Sequence, residues 1–270
     1  MKNKKRGLLQ NIQLSIVVMV FGIVLYSSIT VIAFGISSPI SDDSTLNVAS
    51  NLTNKGISLN QVGRFNESIA FFNKALAVDP KNILALTEKA NALGGLGDYS
   101  EAIAYYDKVL SIDPKNVPAL DNKGLSLYHL GNYTQAIAYY DKALSLDPKY
   151  IFALYDKGNA LGALKNYTQA IAYYDKALSL DPKHVLALIG KGYALDNLGN
   201  HTGAKTYYNK ALETDPRYIP ALTEKANFLI KLGNYQLALI YYDKALAIDP
   251  NNAEATVGKK QALAALNQQE

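Results

Sequence analysis

Cysteine is absent from the 270 residues, and so is tryptophan. The first absence removes disulfides, thiolate metal ligands and a cysteine nucleophile together. Histidine occurs only at His129, His184 and His201, and none has a second ligand at metal-site spacing. Phosphate-cradling loops are missing as well, because Gly94, Gly95 and Gly97 follow a helical pattern and not a strand. No segment outside the repeated region described below is long enough for a catalytic domain. These absences predict a protein that is not an enzyme and carries no cofactor and no metal.

Acidic residues are missing from positions 1–36, where Lys2, Lys4, Lys5 and Arg6 stand alone. Setting those four of 27 cations aside leaves 23 cations against 23 anions, so the remainder is neutral. A neutral domain lacks the charge that drives phosphate-backbone binding, and no nucleic acid is expected as partner. From Gly7 to Ile36 the chain carries no charge at all. Its apolar part, 14–36, has the roughly 20-residue length that crosses a bilayer. The basic flank places 1–13 in the cytoplasm and the rest outside, as a single-pass signal anchor. A cleaved signal peptide, and hence secretion, is the alternative: Ile16–Tyr26 has signal-peptide length and Ala33-Phe34-Gly35 resembles a cleavage site. Residues 37–48, with Pro39 and several Ser and Asp, are expected to form a flexible linker.

Beyond that point the sequence is periodic. Asp-Pro occurs at 79–80, 113–114, 147–148, 181–182, 215–216 and 249–250, always 34 residues apart. Tyr-Tyr recurs at 105–106, 139–140, 173–174, 207–208 and 241–242, with Phe71-Phe72 one period earlier. A fixed period of this size marks a stack of one supersecondary unit. The units are 49–82, 83–116, 117–150, 151–184, 185–218 and 219–252. In each, both halves show helical spacing, as with Leu86, Ala90 and Leu93, then Ala102, Tyr106 and Val109. Gly97 is expected to end the first helix and Ser100 to cap the second. Asp113-Pro114 closes the unit, since proline cannot continue a helix.

The first helices carry Gly56, Ala90, Gly124, Gly158, Gly192 and Ala226 in one slot. The second carry Ser68, Ala102, Ala136, Ala170, Ala204 and Ala238, so the helices are expected to cross closely through small residues. With the aromatic pair and the closing proline, these residues resemble the tetratricopeptide repeat (TPR) family over 49–252. The resemblance implies an all-α, right-handed solenoid of six TPR hairpins whose first helices line a groove. The segment 253–270 repeats the first-helix pattern and is expected to cap the array.

Lysine recurs at Lys55, Lys89, Lys123, Lys157, Lys191 and Lys225, and Asp107, Asp141, Asp175 and Asp243 follow the tyrosine pairs. A periodic charge belongs to the architecture, and each lysine is expected to reach one of those aspartates while its stem lies between helices; a functional basic stripe is the alternative. Function is expected where the period breaks. The family's groove positions vary here, and in peptide-binding relatives an asparagine there holds a ligand amide. The resemblance thus selects Asn91, Asn159 and Asn227. The aromatics Tyr128, His129, Tyr155 and Tyr193 lie near the same face and suit interface anchors. The expected partner is a protein or peptide, with homo-association through the solenoid ends, or service to an envelope enzyme, as alternatives. Five N-x-Ser/Thr sequons occur, three at one repeat position, and these make Asn132, Asn166 and Asn200 candidates for N-glycosylation. Their spacing is explained equally by asparagine in the turn and threonine as the N-cap.

Overall fold

The computed structural model describes residues 43–268. The segment 14–36, expected to span a membrane, lies outside them. Among the described residues there are thirteen α-helices and no strand, and no helix is long and apolar enough to cross a membrane. Six hairpins follow in order: α1 (Asp43–Gln61) with α2 (Phe65–Val78), α3 (Ile83–Leu96) with α4 (Tyr99–Ile112), and α5 (Val117–His129) with α6 (Tyr133–Leu146). Then come α7 (Ile151–Ala163) with α8 (Tyr167–Leu180), α9 (Val185–Asn197) with α10 (His201–Thr214), and α11 (Ile219–Lys231) with α12 (Tyr235–Ile248). A lone helix, α13 (Ala253–Leu266), ends the series. These helices form two compact units, an N-terminal one holding α1–α6 up to Pro148 and a C-terminal one holding α7–α13 from Lys149.

The hairpin turns are short for a backbone reason. Gly63, Gly97, Gly131, Gly199 and Gly233 adopt positive φ, between 73° and 86°. The following residue turns its N–H back to the first helix, as Asp98 does to Leu93 O at 2.9 Å and Asn132 to Leu127 O at 2.9 Å. The chain re-enters a helix at once. The N-caps are therefore Asp98, Asn132, Asn166, Asn200 and Asn234, and not Ser100 or the sequon threonines as expected. Between repeats, the Asp before each Pro is extended, and its carboxylate accepts the N–H two residues on, as Asp113 does from Lys115 at 3.1 Å. Asn82, Asn116 and Asn252 then cap the next first helix through their side chains.

Close crossing is achieved differently from the expected pairing of two small-residue rows. The glycine of a first helix faces an aromatic ring of its own second helix. A β-carbon on Gly158 would lie 2.6 Å from the Tyr174 ring, and one on Gly124 the same distance from Tyr140. The alanines Ala102, Ala136, Ala170, Ala204 and Ala238 are fully buried alongside.

The first helix also begins early. The stretch 43–48, expected within a flexible linker, is already helical. Residues 43–55 contain neither Gly nor Pro, so nothing local stops the helix there. Its surface is unlike that of the other first helices. Ala85, Ala119, Ala187, Ala221 and Ala255 are fully buried, whereas the equivalent Asn51 is exposed. Ala92, Ser126, Ala160, Ala194, Phe228 and Ala262 are buried, whereas the equivalent Ser58 is exposed. At the other end, Lys260 of α13 is exposed in the slot that holds Gly or Ala in every hairpin.

Candidate functional site

The recurring lysines resolve as architecture. Lys123 pairs with Asp107 and Lys191 with Asp175, each on the second helix of the preceding hairpin. Where that helix carries Asn instead, the bond persists: Lys89 Nζ donates to Asn73 at 2.6 Å and Lys225 Nζ to Asn209 at 2.6 Å. Each ammonium also lies over the first tyrosine of its own hairpin, at 4.1 Å from the Tyr105 ring centroid and 4.2 Å from that of Tyr173. The side chains of Lys123 and Lys191 are only 10% and 11% exposed, which removes them from any ligand-facing stripe.

The asparagines chosen from the sequence face inward partners. Tyr106 donates its hydroxyl to Asn91 Oδ1 at 2.7 Å, Tyr174 to Asn159 at 2.8 Å, and Tyr242 to Asn227 at 2.5 Å. The amide nitrogens of two are also engaged: Asn91 donates to Glu88 at 3.4 Å and Asn227 to Glu254 at 3.0 Å. In the N-terminal unit Asn91 belongs to a wider network, because Asn122 donates to it at 3.2 Å and Asn60 to the Glu88 carboxylate at 3.3 Å. Burial raises the Glu88 pKa, and the amides of Asn60 and Asn91 work against that rise.

The aromatic candidates separate. His129 stacks on Tyr99 with 4.5 Å between centroids, and Tyr128 lies 5.6 Å from it and 5.2 Å from Tyr133. Burial lowers the His129 pKa to about 4, so its ring is neutral, and its Nε2 is buried with no hydrogen-bond partner. Tyr155, expected to line the groove, is only 8% exposed and packs between Tyr174 and His184, so it is a core residue. Tyr193 remains at the surface, 41% exposed. The sequon asparagines Asn132, Asn166 and Asn200 are exposed N-caps, and the Asn200 side chain accepts the Gly203 N–H at 2.9 Å.

A group that the sequence did not single out surrounds Tyr193. Tyr193 occupies the slot held by asparagine in α3, α7 and α11, so Tyr208 lacks the amide that Tyr106, Tyr174 and Tyr242 use. Tyr208 is 1% exposed and packs against Phe228, with 5.5 Å between ring centroids. Its pKa is raised by burial first, then by Glu224, Asp196 and Tyr193. Glu224 is pushed up to about 7, chiefly by burial and then by Glu254, with Lys231 opposing and Asp196 adding to the shift. Asp196 is held by Lys231 Nζ at 2.7 Å and approached by His201 Nδ1 at 3.0 Å. The Lys231 ammonium lies 5.7 Å from the Tyr193 ring. The one visible signal for this group was Tyr193 itself, a tyrosine in an asparagine slot.

Known proteins place this arrangement. Profiles described as Tetratricopeptide repeat match residues 49–82 and 83–116, and one described as Tetratricopeptide repeat protein 21 N-terminal ARM repeat matches 101–239. No curated protein matches the chain in sequence. Among solved structures, a chain of the APC/C hetero-tetramer Cut9–Hcn1 superposes with TM-score 0.71 at 21% identity, over 82% of this chain and 43% of its own. This chain therefore spans less than half the length of that protein. A tetratricopeptide repeat protein from Parabacteroides merdae gives 0.70 at 21% identity, over 80% of this chain and 84% of its own. PilW, described as a type IV pilus biogenesis factor, gives 0.69 at 25%, over 78% and 97%.

Proposed function

Since the chain belongs to the tetratricopeptide repeat family, we propose that it is a non-catalytic scaffold that holds a polypeptide segment on its first-helix faces. The observation that carries this reading is where variation falls. The invariant positions are consumed by packing, with the second-helix alanines fully buried and the lysines tied to neighbouring hairpins. Of the variable first-helix side chains, Tyr193 stays at the surface, 41% exposed, and Asn91, Asn159 and Asn227 are half-buried, whereas Tyr155 belongs to the core. The proposed location is the cell envelope. The charge-free run ending at Ile36, preceded by four cations, supports a membrane anchor with the repeats on the outer side, and a cleaved signal peptide would export them equally. Exposed Asn132, Asn166 and Asn200 are then open to glycosylation. Self-association through the array ends is disfavoured by Asn51 and Lys260, which put polar groups where hairpins would stack.

Affinity capture from membranes with the full chain tests the reading. The expected result is a partner retained by the native chain and lost with Asn159→Ala/Tyr193→Ala. Equal retention by both would place binding elsewhere. Tyr155 is unsuited to this test, because its removal would open the core.

A further inference from the structure

The recurring lysine of the sixth hairpin is held differently from its counterparts. Lys123 and Lys191 meet the carboxylates of Asp107 and Asp175, and Lys89, which meets Asn73, donates to the Tyr105 hydroxyl as well. Lys225 donates to Asn209 Oδ1 at 2.6 Å and lies 4.3 Å from the Tyr241 ring centroid, so both its partners are uncharged. The residue is only 8% exposed. An ammonium withdrawn from water needs an anion beside it. The carboxylate that Asp107 and Asp175 supply in this slot is missing here, because asparagine stands at position 209.

Lys225 lines an open cavity of about 290 Å³ between α10, α11 and α12. Lys244 lines it too, exposed and 5.2 Å from the centroid of the same Tyr241 ring. Among the described residues neither lysine forms an ion pair. Asn209 and Tyr241 add to the polar wall. Since Asn209 accepts from Lys225 through its oxygen, its amide N–H groups are left to donate. Leu212, Pro216 and Leu222 form an apolar wall, and the one acidic lining group is Glu213, which is exposed. Donors therefore outnumber acceptors, and two cations stand against one carboxylate.

We infer that this cavity binds a carboxylate of an extended polypeptide, its oxygens bonded to Lys225, Lys244 and the Asn209 amide and the adjoining aliphatic groups laid against Leu212 and Leu222. Carboxylate oxygens only accept, and this wall offers them charged N–H donors. The balance of one positive charge suits a singly charged carboxylate better than a doubly charged phosphate, which Glu213 repels more strongly. An aspartate at position 209 would neutralise Lys225 and repel the ligand. Asparagine holds the ammonium by its oxygen and leaves its N–H groups to the ligand. The cavity shares none of the residues assigned to the first-helix surface above, so either reading can fail without the other.

Isothermal titration calorimetry on the full chain in detergent tests this with three acetylated tetrapeptides. One is Gly-Ser-Leu-Leu with a free terminal carboxylate, the second is the same sequence ending in an amide, and the third is Gly-Ser-Glu-Leu ending in an amide. At least one carboxylate peptide is expected to bind tenfold or more tightly than the uncharged one, with affinity falling as salt rises. Which of the two is stronger tells whether a chain end or a side chain is read. Asn209→Asp, which restores the periodic ion pair, is expected to weaken carboxylate binding at least tenfold while raising the melting temperature; a purely structural role would move the melting temperature alone. Lys225→Met is expected to abolish binding without lowering the melting temperature, and Glu213→Gln to tighten it several-fold. Asn159→Ala/Tyr193→Ala is expected to bind the peptides as the native chain does. The inference is overturned if the uncharged peptide binds equally, if inorganic phosphate binds in preference to both carboxylates, if Asn209→Asp leaves the affinity unchanged, or if no peptide binds at millimolar concentration.

Discussion

Lys165 is the one described non-glycine residue with positive φ, at 64°, in the turn where the other five hairpins use glycine. A side chain in that conformation costs about 1 kcal/mol. Lys165→Gly is therefore expected to stabilise the chain by up to about 1 kcal/mol, read as a higher urea midpoint with unchanged slope. His184 shows a second local departure. Its Nδ1 accepts the Ala187 N–H at 3.1 Å, the capping role that asparagine fills at Asn82, Asn116 and Asn252. Burial lowers its pKa, with Asp181 opposing. A depressed histidine contributes fully above its unfolded pKa of about 6.5, and the contribution is lost as pH falls below that value. His129, lowered to about 4, acts in the same direction. His184→Asn keeps the cap and removes the titration, so melting temperature should drop less between pH 7 and pH 5 than in the native chain. An unchanged acid limb would refute the assignment.

At the level of helices, the glycine-to-ring contact sets how closely a hairpin closes. Tyr174 is gripped from two sides, since β-carbons on Gly158 and Gly190 would lie 2.6 Å and 2.7 Å from its ring. Gly158→Ala is expected to cost about 1–3 kcal/mol through overpacking. Gly192→Ala should cost less, because its β-carbon would stand 3.0 Å from Tyr208. Denaturant melts of the two variants decide the order. Much of this level was legible in the sequence: the 34-residue period located every hairpin, and the alternation of Lys with Asp or Asn located the inter-hairpin bonds. The caps were misplaced by two residues because a left-handed turn residue shortens the loop, and that depends on backbone geometry. Tyr155 looked like a groove residue because its slot varies, yet variation at a slot does not reveal burial.

For the molecule as a whole, the terminal helices matter most. Asn51 replaces an alanine that is buried in the other first helices, and Lys260 replaces a glycine or alanine. Burying them against another hairpin would strand polar groups. The full chain in detergent is expected to sediment as a monomer over a hundredfold range of concentration, and reversible dimerisation would contradict this. The same substitutions also bear on how such a chain can change in descent. Its interior 34-residue segments present matching surfaces to their neighbours, whereas the outermost described helices carry Asn51 and Lys260 there. Duplication or loss of an inner segment would therefore yield a longer or shorter relative with the same outer helices, the number of hairpins altered in a single genetic event.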